Sequence, residues 1–436
     1  MIDFLFLYEH RARELENCVY LATALKNKGY KVKIASMLSF EKKIFKPNVI
    51  VTPHLYDENQ LRYYISSCWS GRKIKVISMQ YEQVLNEYGR KTEIHRPKGE
   101  AKKAFHVAWG DNEVKEYLNN GILLSHILKV GSVSMDFNTR QYQKYLYSKR
   151  DLAKKYGIPE EKKWCIFFSS FTYCGRSDES IEKRSFKDYA FRMKKIMEDS
   201  QPIILDWFER EINDNAYVIF IYRKHPAETL GLHINTLKNR YPDKFYCIDD
   251  FSVRHWINVS DICLTWFSTT SLDIYFAEKP CLILRPVPID SDLELETMYN
   301  IQKIQSYNEF HRSLNQDGYI QEDFKRCIPN FICNKINQLV IDDYIDAFIQ
   351  VAKSNDEGAI FVTTQDTLRN RMVENIMGVL CDICKYIKIA SFVSLFSAKI
   401  GKTLEYYQQE VYGIRREKER ISKQISQLII AHYSKE

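Results

Sequence analysis

Short, uninterrupted apolar runs recur along the first 300 positions of this chain, each followed by a helical segment, and few folds accept that alternation. Phe4-Leu5-Phe6-Leu7 opens the series. Leu15, Cys18, Val19, Ala22 and Leu25 then mark one helical face that ends at Gly29, before the strand Val32-Lys33-Ile34-Ala35. Val49-Ile50-Val51, Val76-Ile77-Ser78-Met79, Phe105 to Trp109 and Ile127 to Gly131 continue it. Strands apolar throughout are buried on both faces, which requires helices on either side of a parallel sheet. A second series starts at Trp164-Cys165-Ile166-Phe167-Phe168 and runs through Tyr217 to Ile221, Phe245 to Ile248, Ile262 to Leu264 and Cys281 to Leu284.

The pattern predicts an α/β protein with two doubly wound, Rossmann-like domains plus a C-terminal helical extension. The expected boundaries are residues 1–140 for the N-terminal Rossmann-like domain, 160–340 for the C-terminal Rossmann-like domain and 341–436 for the helical region. Residues 138–160 are charged and helical, as a connection would be. A chain of 436 residues is too long for one ordinary core.

Two strand ends in the second series turn abruptly polar. Tyr222-Arg223-Lys224-His225-Pro226-Ala227-Glu228 converts an apolar strand into phosphate-compatible residues, and Phe267-Ser268-Thr269-Thr270-Ser271 does the same about forty residues later. Ligands of open parallel sheets bind outside the carboxyl ends of the strands, so both loops are expected to face one crevice. Each also has a local reading. His-Pro can end a strand, and Thr270 with Asp273 has capping-box spacing.

Composition narrows the partners. The net charge of +7 comes without a nucleic-acid-reading motif, which argues against nucleic acid as the main partner. The eleven cysteines include Cys18, Cys165, Cys247, Cys263 and Cys281 on apolar faces and read as reduced thiols of a cytoplasmic protein. Cys381 and Cys384 form a lone CxxC and are expected in the core. Met1-Ile2-Asp3 enters a strand with no basic n-region, so no export signal is expected. The stretch Ile376 to Ile400, interrupted by Asp382, Lys385, Lys388 and Lys399, is not a membrane span but can lie on a membrane.

Arg13-Glu14-Leu15-Glu16, Tyr20-Leu21-Ala22 and Lys28-Gly29-Tyr30-Lys31-Val32 resemble the start of bacterial surface-carbohydrate biosynthesis proteins, including transferases of 3-deoxy-octulosonic acid. The His-Pro and Ser/Thr strings resemble those of bacterial sialyl- and polysialyltransferases and of teichoic-acid glycerophosphotransferases. The resemblance implies a GT-B fold, with an N-terminal acceptor domain and a C-terminal nucleotide-donor domain facing each other across a cleft, in which the His-Pro loop contacts a cytidine nucleotide and the hydroxyls hold its phosphate. One turn departs: Gly131-Ser132-Val133-Ser134-Met135-Asp136 keeps only the Gly and Asp of the families' Gly-Asn-Pro-Arg-like turn. The glutamate pair of many retaining GT-B enzymes is also missing, with Asp273 and Tyr275 after the Ser/Thr cluster. A CMP-linked ulosonic acid is therefore favoured as donor over a UDP-sugar, with a surface glycan or glycolipid as acceptor. No separate cofactor is expected.

Roles follow for the named residues. Arg223, Lys224, His225, Pro226, Ser268, Thr269, Thr270 and Ser271 are the expected donor site, with His225 stabilising the departing phosphate. Glu228 is expected one turn into the following helix, either on a ribose hydroxyl or as a favourable acid at a helix N-terminus. Glu82, after the strand ending at Met79, is the expected base or else a solvated loop glutamate, with Glu14, Glu9 and His10 as competitors beside Arg11 and Arg13. Asp290-Ser291-Asp292 has DxD spacing but follows Pro286-Val287-Pro288 in a loop, so no metal is expected, and Glu294-Leu295-Glu296 is a candidate for the cleft lining.

Competing readings are a CDP-glycerol-type polyol-phosphate transferase, a non-hydrolysing sugar-nucleotide epimerase and a non-catalytic scaffold in a polysaccharide assembly complex. In the tail, Leu404, Tyr407, Val411, Ile414, Ile421, Ile425 and Leu428 have helical or heptad spacing, which allows homo-oligomerisation or coverage of the chain's own domain. Arg415, Arg416, Lys418, Arg420 and Lys423 add a basic face, so residues 401–436 are the expected site of salt-sensitive peripheral membrane contact.

Overall fold

The computed structural model describes residues 2–433 apart from 67–72, 94, 185, 226, 251, 317–323, 363–367 and 396–397. The first sheet comprises β1 (Ile2–Tyr8), β2 (Val32–Ser36), β3 (Pro47–Thr52), β4 (Lys73–Ser78), β5 (Phe105–Ala108) and β6 (Ile127–Lys129). The second comprises β7 (Lys163–Phe168), β8 (Val218–Arg223), β9 (Phe245–Cys247), β10 (Ile262–Thr265), β11 (Cys281–Leu284) and β12 (Lys303–Ile304). All pairings among these strands are parallel. Both faces of each sheet are covered: Phe4, Phe6 and Val51 enter one core cluster, whereas Leu5, Leu7 and Ile50 enter another.

The sheets are wound differently. The order β2-β1-β3-β4-β5-β6 reverses between β1 and β3, and β12-β11-β10-β7-β8-β9 reverses between β10 and β7. Crossovers leave these neighbouring strands toward opposite faces of the sheet, which opens a crevice at their carboxyl ends. In the second sheet that crevice lies between Phe168 and Thr265, which are register partners. The Ser/Thr loop begins directly after Thr265.

The chain passes between domains twice. It leaves the first after β6 and returns where Asn334 brackets Ser132, accepting from its N–H at 2.7 Å and donating to its carbonyl at 3.1 Å. Gly131 is required there: its φ is +77°, and a Cβ would lie 2.5 Å from Asn334 Oδ1. The buried Asp136 carboxyl accepts from Val340 N–H at 3.0 Å and Tyr20 hydroxyl at 3.1 Å, and burial pushes its pKa up to about 8. Gly131 and Asp136 thus fasten the returning chain.

After the return, the helix Ile341–Lys353 packs on the first sheet, with Phe348 stacked on Phe4. A strand the apolar pattern does not predict, β13 (Phe361–Val362), pairs antiparallel with β4. A two-residue pairing is too short to show a period. The tail continues as helices Leu368–Cys384, Ala390–Ser394, Ala398–Val411 and Ile414–Tyr433. The last lies along α1 (Arg11–Asn27) with Ile414, Ile421, Ile425 and Ile429 buried, so its apolar face covers the chain's own first domain. Cys381 and Cys384 are buried with Leu404 and Val411.

Candidate functional site

A crevice of about 240 Å³ opens between the two domains at the carboxyl ends of the strands. Arg13, Asn17, Tyr81 and Glu82 line it from the first domain, and His225, Lys224, Arg254 and Ser268 to Thr270 are among its lining from the second. Both flanks are bridged. On one, Asn86 donates to the Leu293 carbonyl at 2.9 Å and Arg90 grips the Glu296 carboxylate through two nitrogens. On the other, Arg254 donates to Glu16 at 2.8 Å and to Asn17 at 3.3 Å. Burial alone would keep Glu16 protonated, but His255, Arg254 and the Tyr145 hydroxyl outweigh it and push its pKa down to about 2.

His225 sits just past the end of β8 with its protonation fixed by structure. Burial pushes its pKa down to about 4, so it is neutral at pH 7, and Nδ1 accepts the Ala227 N–H at 3.1 Å. A neutral imidazole that accepts at Nδ1 carries its proton on Nε2. The ring is thus a neutral donor on the crevice wall. Pro226 lies outside the described residues.

Glu228 supports this loop from behind. It does not enter the following helix, which begins only at Leu232. Instead its buried carboxylate accepts the His225 N–H at 3.1 Å, the Tyr222 hydroxyl and, at 3.4 Å, the Gln201 amide. The early helix start fails because these partners hold the backbone in a turn. Glu228 is absent from the crevice lining, and its contacts make it a positioning residue for His225.

Arg223 and Lys224 both reach the crevice but are engaged. The Arg223 guanidinium donates to the Asp250 carbonyl at 2.6 Å, and burial pushes its pKa down to about 10. Lys224 pairs with Asp249 at 3.1 Å.

The hydroxyl cluster divides. Ser268, Thr269 and Thr270 line the crevice, while Ser271 is fully buried and donates back to the Ser268 carbonyl at 2.9 Å. The capping box expected of Thr270 and Asp273 does not form. Ser268 Oγ takes the Thr270 N–H at 3.2 Å, and Asp273 is drawn to the domain boundary, where Asn138 donates to it at 3.2 Å. A buried interdomain partner outcompetes the local cap, which is worth only about 1 kcal/mol.

On the opposite wall, Glu82 accepts from Arg13 at 3.1 Å and lies 3.5 Å from His95. Partial burial works to raise its pKa, but the charge of Arg13, with His95 and His54, holds it below the ordinary glutamate value. The other proposed bases fall elsewhere. Glu14 is fully buried, with pKa raised by burial, and accepts the N–H groups of Glu9 at 2.6 Å and His10 at 3.2 Å. It shapes the turn into α1 and is absent from the crevice lining, as are Glu9 and His10.

The acidic loop is committed to structure. Arg192 donates to Asp292 at 2.7 and 2.8 Å and to Asp290 at 2.7 Å. Glu294 pairs with the buried Arg285 and Glu296 with Arg90, so neither lines the crevice. Among the described residues, no three His, Cys, Asp or Glu side chains cluster as metal ligands would.

Sequence reasoning overlooks Ser169, Ser252 and Arg254, all on the crevice wall. Ser169 and Ser252 follow strands β7 and β9, the same strand-end signal that marks His225 and Ser268, so that rule extended to every strand finds them. Arg254 carries no such signal, because its partner Glu16 is 238 residues away.

No protein-family model matches the chain, and no curated protein matches it in sequence. Solved structures match it in fold. The wall teichoic acid polymerase TagF shares 13% identity at a TM-score of 0.54, over 81% of this chain and 90% of that one. The MnaA structure from S. aureus determined with UDP shares 12% at 0.51, over 80% and 96%. The UDP-GlcNAc 2-epimerase from Neisseria meningitidis, bound to UDP-GlcNAc, shares 11% at 0.50, over 80% and 100%. The fold is α/β and GT-B-like, two doubly wound domains with C-terminal helices.

Proposed function

We propose that the protein is a nucleotide-dependent glycosyltransferase that moves an ulosonic acid from a CMP-linked donor to a surface polysaccharide or glycolipid acceptor. The observation that carries this reading is the convergence of His225, Ser268, Thr269 and Thr270 with Arg13 and Glu82 in one interdomain crevice. Ser268, Thr269 and Thr270 receive the donor phosphate, and His225 Nε2–H donates to the phosphate oxygen that gains charge as the glycosidic bond breaks. Such a fixed donor is most effective where water is excluded. Lys224, neighbouring the same loop, adds positive charge, and the phosphate is neutralised without a metal.

Glu82 takes the proton of the acceptor hydroxyl. Its pairing with Arg13 makes it a weak base, since a carboxylate held low in pKa gains little from protonation. An anionic donor or acceptor that draws Arg13 away raises Glu82 toward its ordinary value and couples binding to basicity. A polyol-phosphate transferase with a CDP-linked donor uses the same loops, and the TagF likeness in fold supports keeping it as the second reading. Incubating the protein with CMP-linked ulosonic acids, CDP-glycerol and UDP-sugars, with and without EDTA, tests both. Turnover with the CMP-linked donor that survives EDTA is expected; turnover with CDP-glycerol alone selects the second reading, and turnover with UDP-sugars alone contradicts both.

A further inference from the structure

The tail helices treat their apolar residues in opposite ways. Ile414–Tyr433 turns its isoleucines inward, whereas Leu368–Cys384 is apolar on two sides. Its inner side meets the first domain: Cys381 and Cys384 are buried, and at Gly378 an added Cβ would come within 3.0 Å of the Phe40 backbone nitrogen. On the outer side, Met372, Ile376, Val379 and Ile383 are 58, 57, 46 and 40% exposed. Their spacing puts them on one stripe. Beyond the helix end, Ile387 at 58% and Leu395 at 78% leave further apolar surface exposed. Soluble monomers rarely leave a contiguous apolar strip of this kind uncovered.

Charge indicates what covers it. Residues 368–402 hold six basic side chains, Arg369, Arg371, Lys385, Lys388, Lys399 and Lys402, against two acids, Glu374 and Asp382. Lys385 is turned inward and paired with Asp382 at 2.8 Å and Glu41 at 2.9 Å, and Glu374 is paired with Lys43 at 3.5 Å, so the surplus rests on the other five basic residues. A second copy laid face to face would set this positive surplus against itself. An anionic bilayer presents the opposite sign together with an apolar interior.

We propose that the Leu368–Cys384 helix and the segment through Leu395 form a seat for an anionic lipid surface. The apolar stripe enters the boundary between headgroups and acyl chains, and the exposed Lys388 remains at headgroup level. The helix lies in the plane of the surface: among the described residues, none is long and apolar enough to cross a membrane. The seat belongs to this helix and not to Ile414–Tyr433, whose apolar face is already spent on α1. It stands whichever nucleotide fills the crevice.

Flotation of the full chain with phosphatidylcholine vesicles, with and without phosphatidylglycerol, tests the proposal. The protein is expected to float with the anionic vesicles at low salt, about tenfold less in high salt or with neutral vesicles. Ile376→Glu/Ile383→Glu is expected to abolish flotation with an unchanged melting temperature, since both side chains are exposed. Leu395→Glu, at the most exposed of the named apolar positions, gives a second reading if the double variant does not fold, and is expected to reduce flotation. No flotation of the wild type at low salt, or undiminished flotation of the folded variants, overturns the proposal. So does a concentration-dependent dimer in sedimentation velocity that the same variants dissolve, which would give the face to a second copy.

Discussion

The two walls of the crevice hold charge in different ways. On the first-domain wall, Arg13 and Glu82 form an ion pair at 3.1 Å, so a ligand that uses the paired atoms of either competes with the other. On the second-domain wall His225 is neutral, its ring set by the Ala227 N–H and its backbone by Glu228, and beside it stand hydroxyls and the cations Arg223, Lys224 and Arg254, each already engaged by its own domain or by Glu16. A neutral donor fixed before the ligand arrives needs no reorganisation when charge develops, which is what transition-state stabilisation asks of it. A paired base has to be released first. In the proposed reaction, leaving-group departure falls to the second domain and acceptor activation to the first.

The variant expected to cost most is His225→Ala. Losing one preorganised donor at a developing oxyanion lowers kcat by about 10²- to 10³-fold, with little change in melting temperature because the side chain lies at the rim of the core. Full activity with a lowered melting temperature would make His225 a structural residue. Glu82→Gln keeps shape while removing basicity, and general-base removal costs about 10²-fold or more in the chemical step. Single-turnover rates should fall while nucleotide affinity stays near wild type; unchanged rates would remove Glu82 as base.

Smaller effects refine the second wall. Ser268→Ala or Thr269→Ala each loses one hydrogen bond, about 1 kcal/mol or fivefold in donor affinity, readable by calorimetry. Ser271→Ala serves as a control: it should affect stability and leave donor affinity alone, because its hydroxyl is turned to the Ser268 carbonyl. The neutrality of His225 has its own test in acid. Its pKa is about 4 in the folded protein against 6.5 ordinarily, so between those values the unfolded chain binds a proton that the native crevice refuses. Stability contributed at this site is intact above pH 6.5 and lost as pH falls toward 4. His225→Gln should therefore lose less stability than wild type across that window in chemical denaturation; equal losses would mean His225 is not held neutral.

The alternation of apolar runs was enough to read both sheets, because strands buried on two faces leave a signal that local sequence alone carries. The polar ends of β8 and β10 are equally local, and they put His225 and Ser268 on one crevice wall. Local sequence does not carry what distant partners do. Asp273 has capping-box spacing yet is taken by Asn138 across the domain boundary, and Glu228 is held out of its helix by Tyr222 and Gln201. Glu14 has the chemistry of a base, but its carboxylate is used by the N–H groups of Glu9 and His10. The basic face of the final helix was visible in sequence; that its isoleucines are buried against α1 depends on the tertiary fold.

The central claim, a cytidine nucleotide held by the second-domain wall, is tested most directly by isothermal titration of the wild-type protein with CMP, CDP and UDP at matched concentration. The account predicts measurable binding of CMP or CDP, tighter than that of UDP and weakened by Thr269→Ala. Tighter binding of UDP, or binding of none of the three, would contradict it.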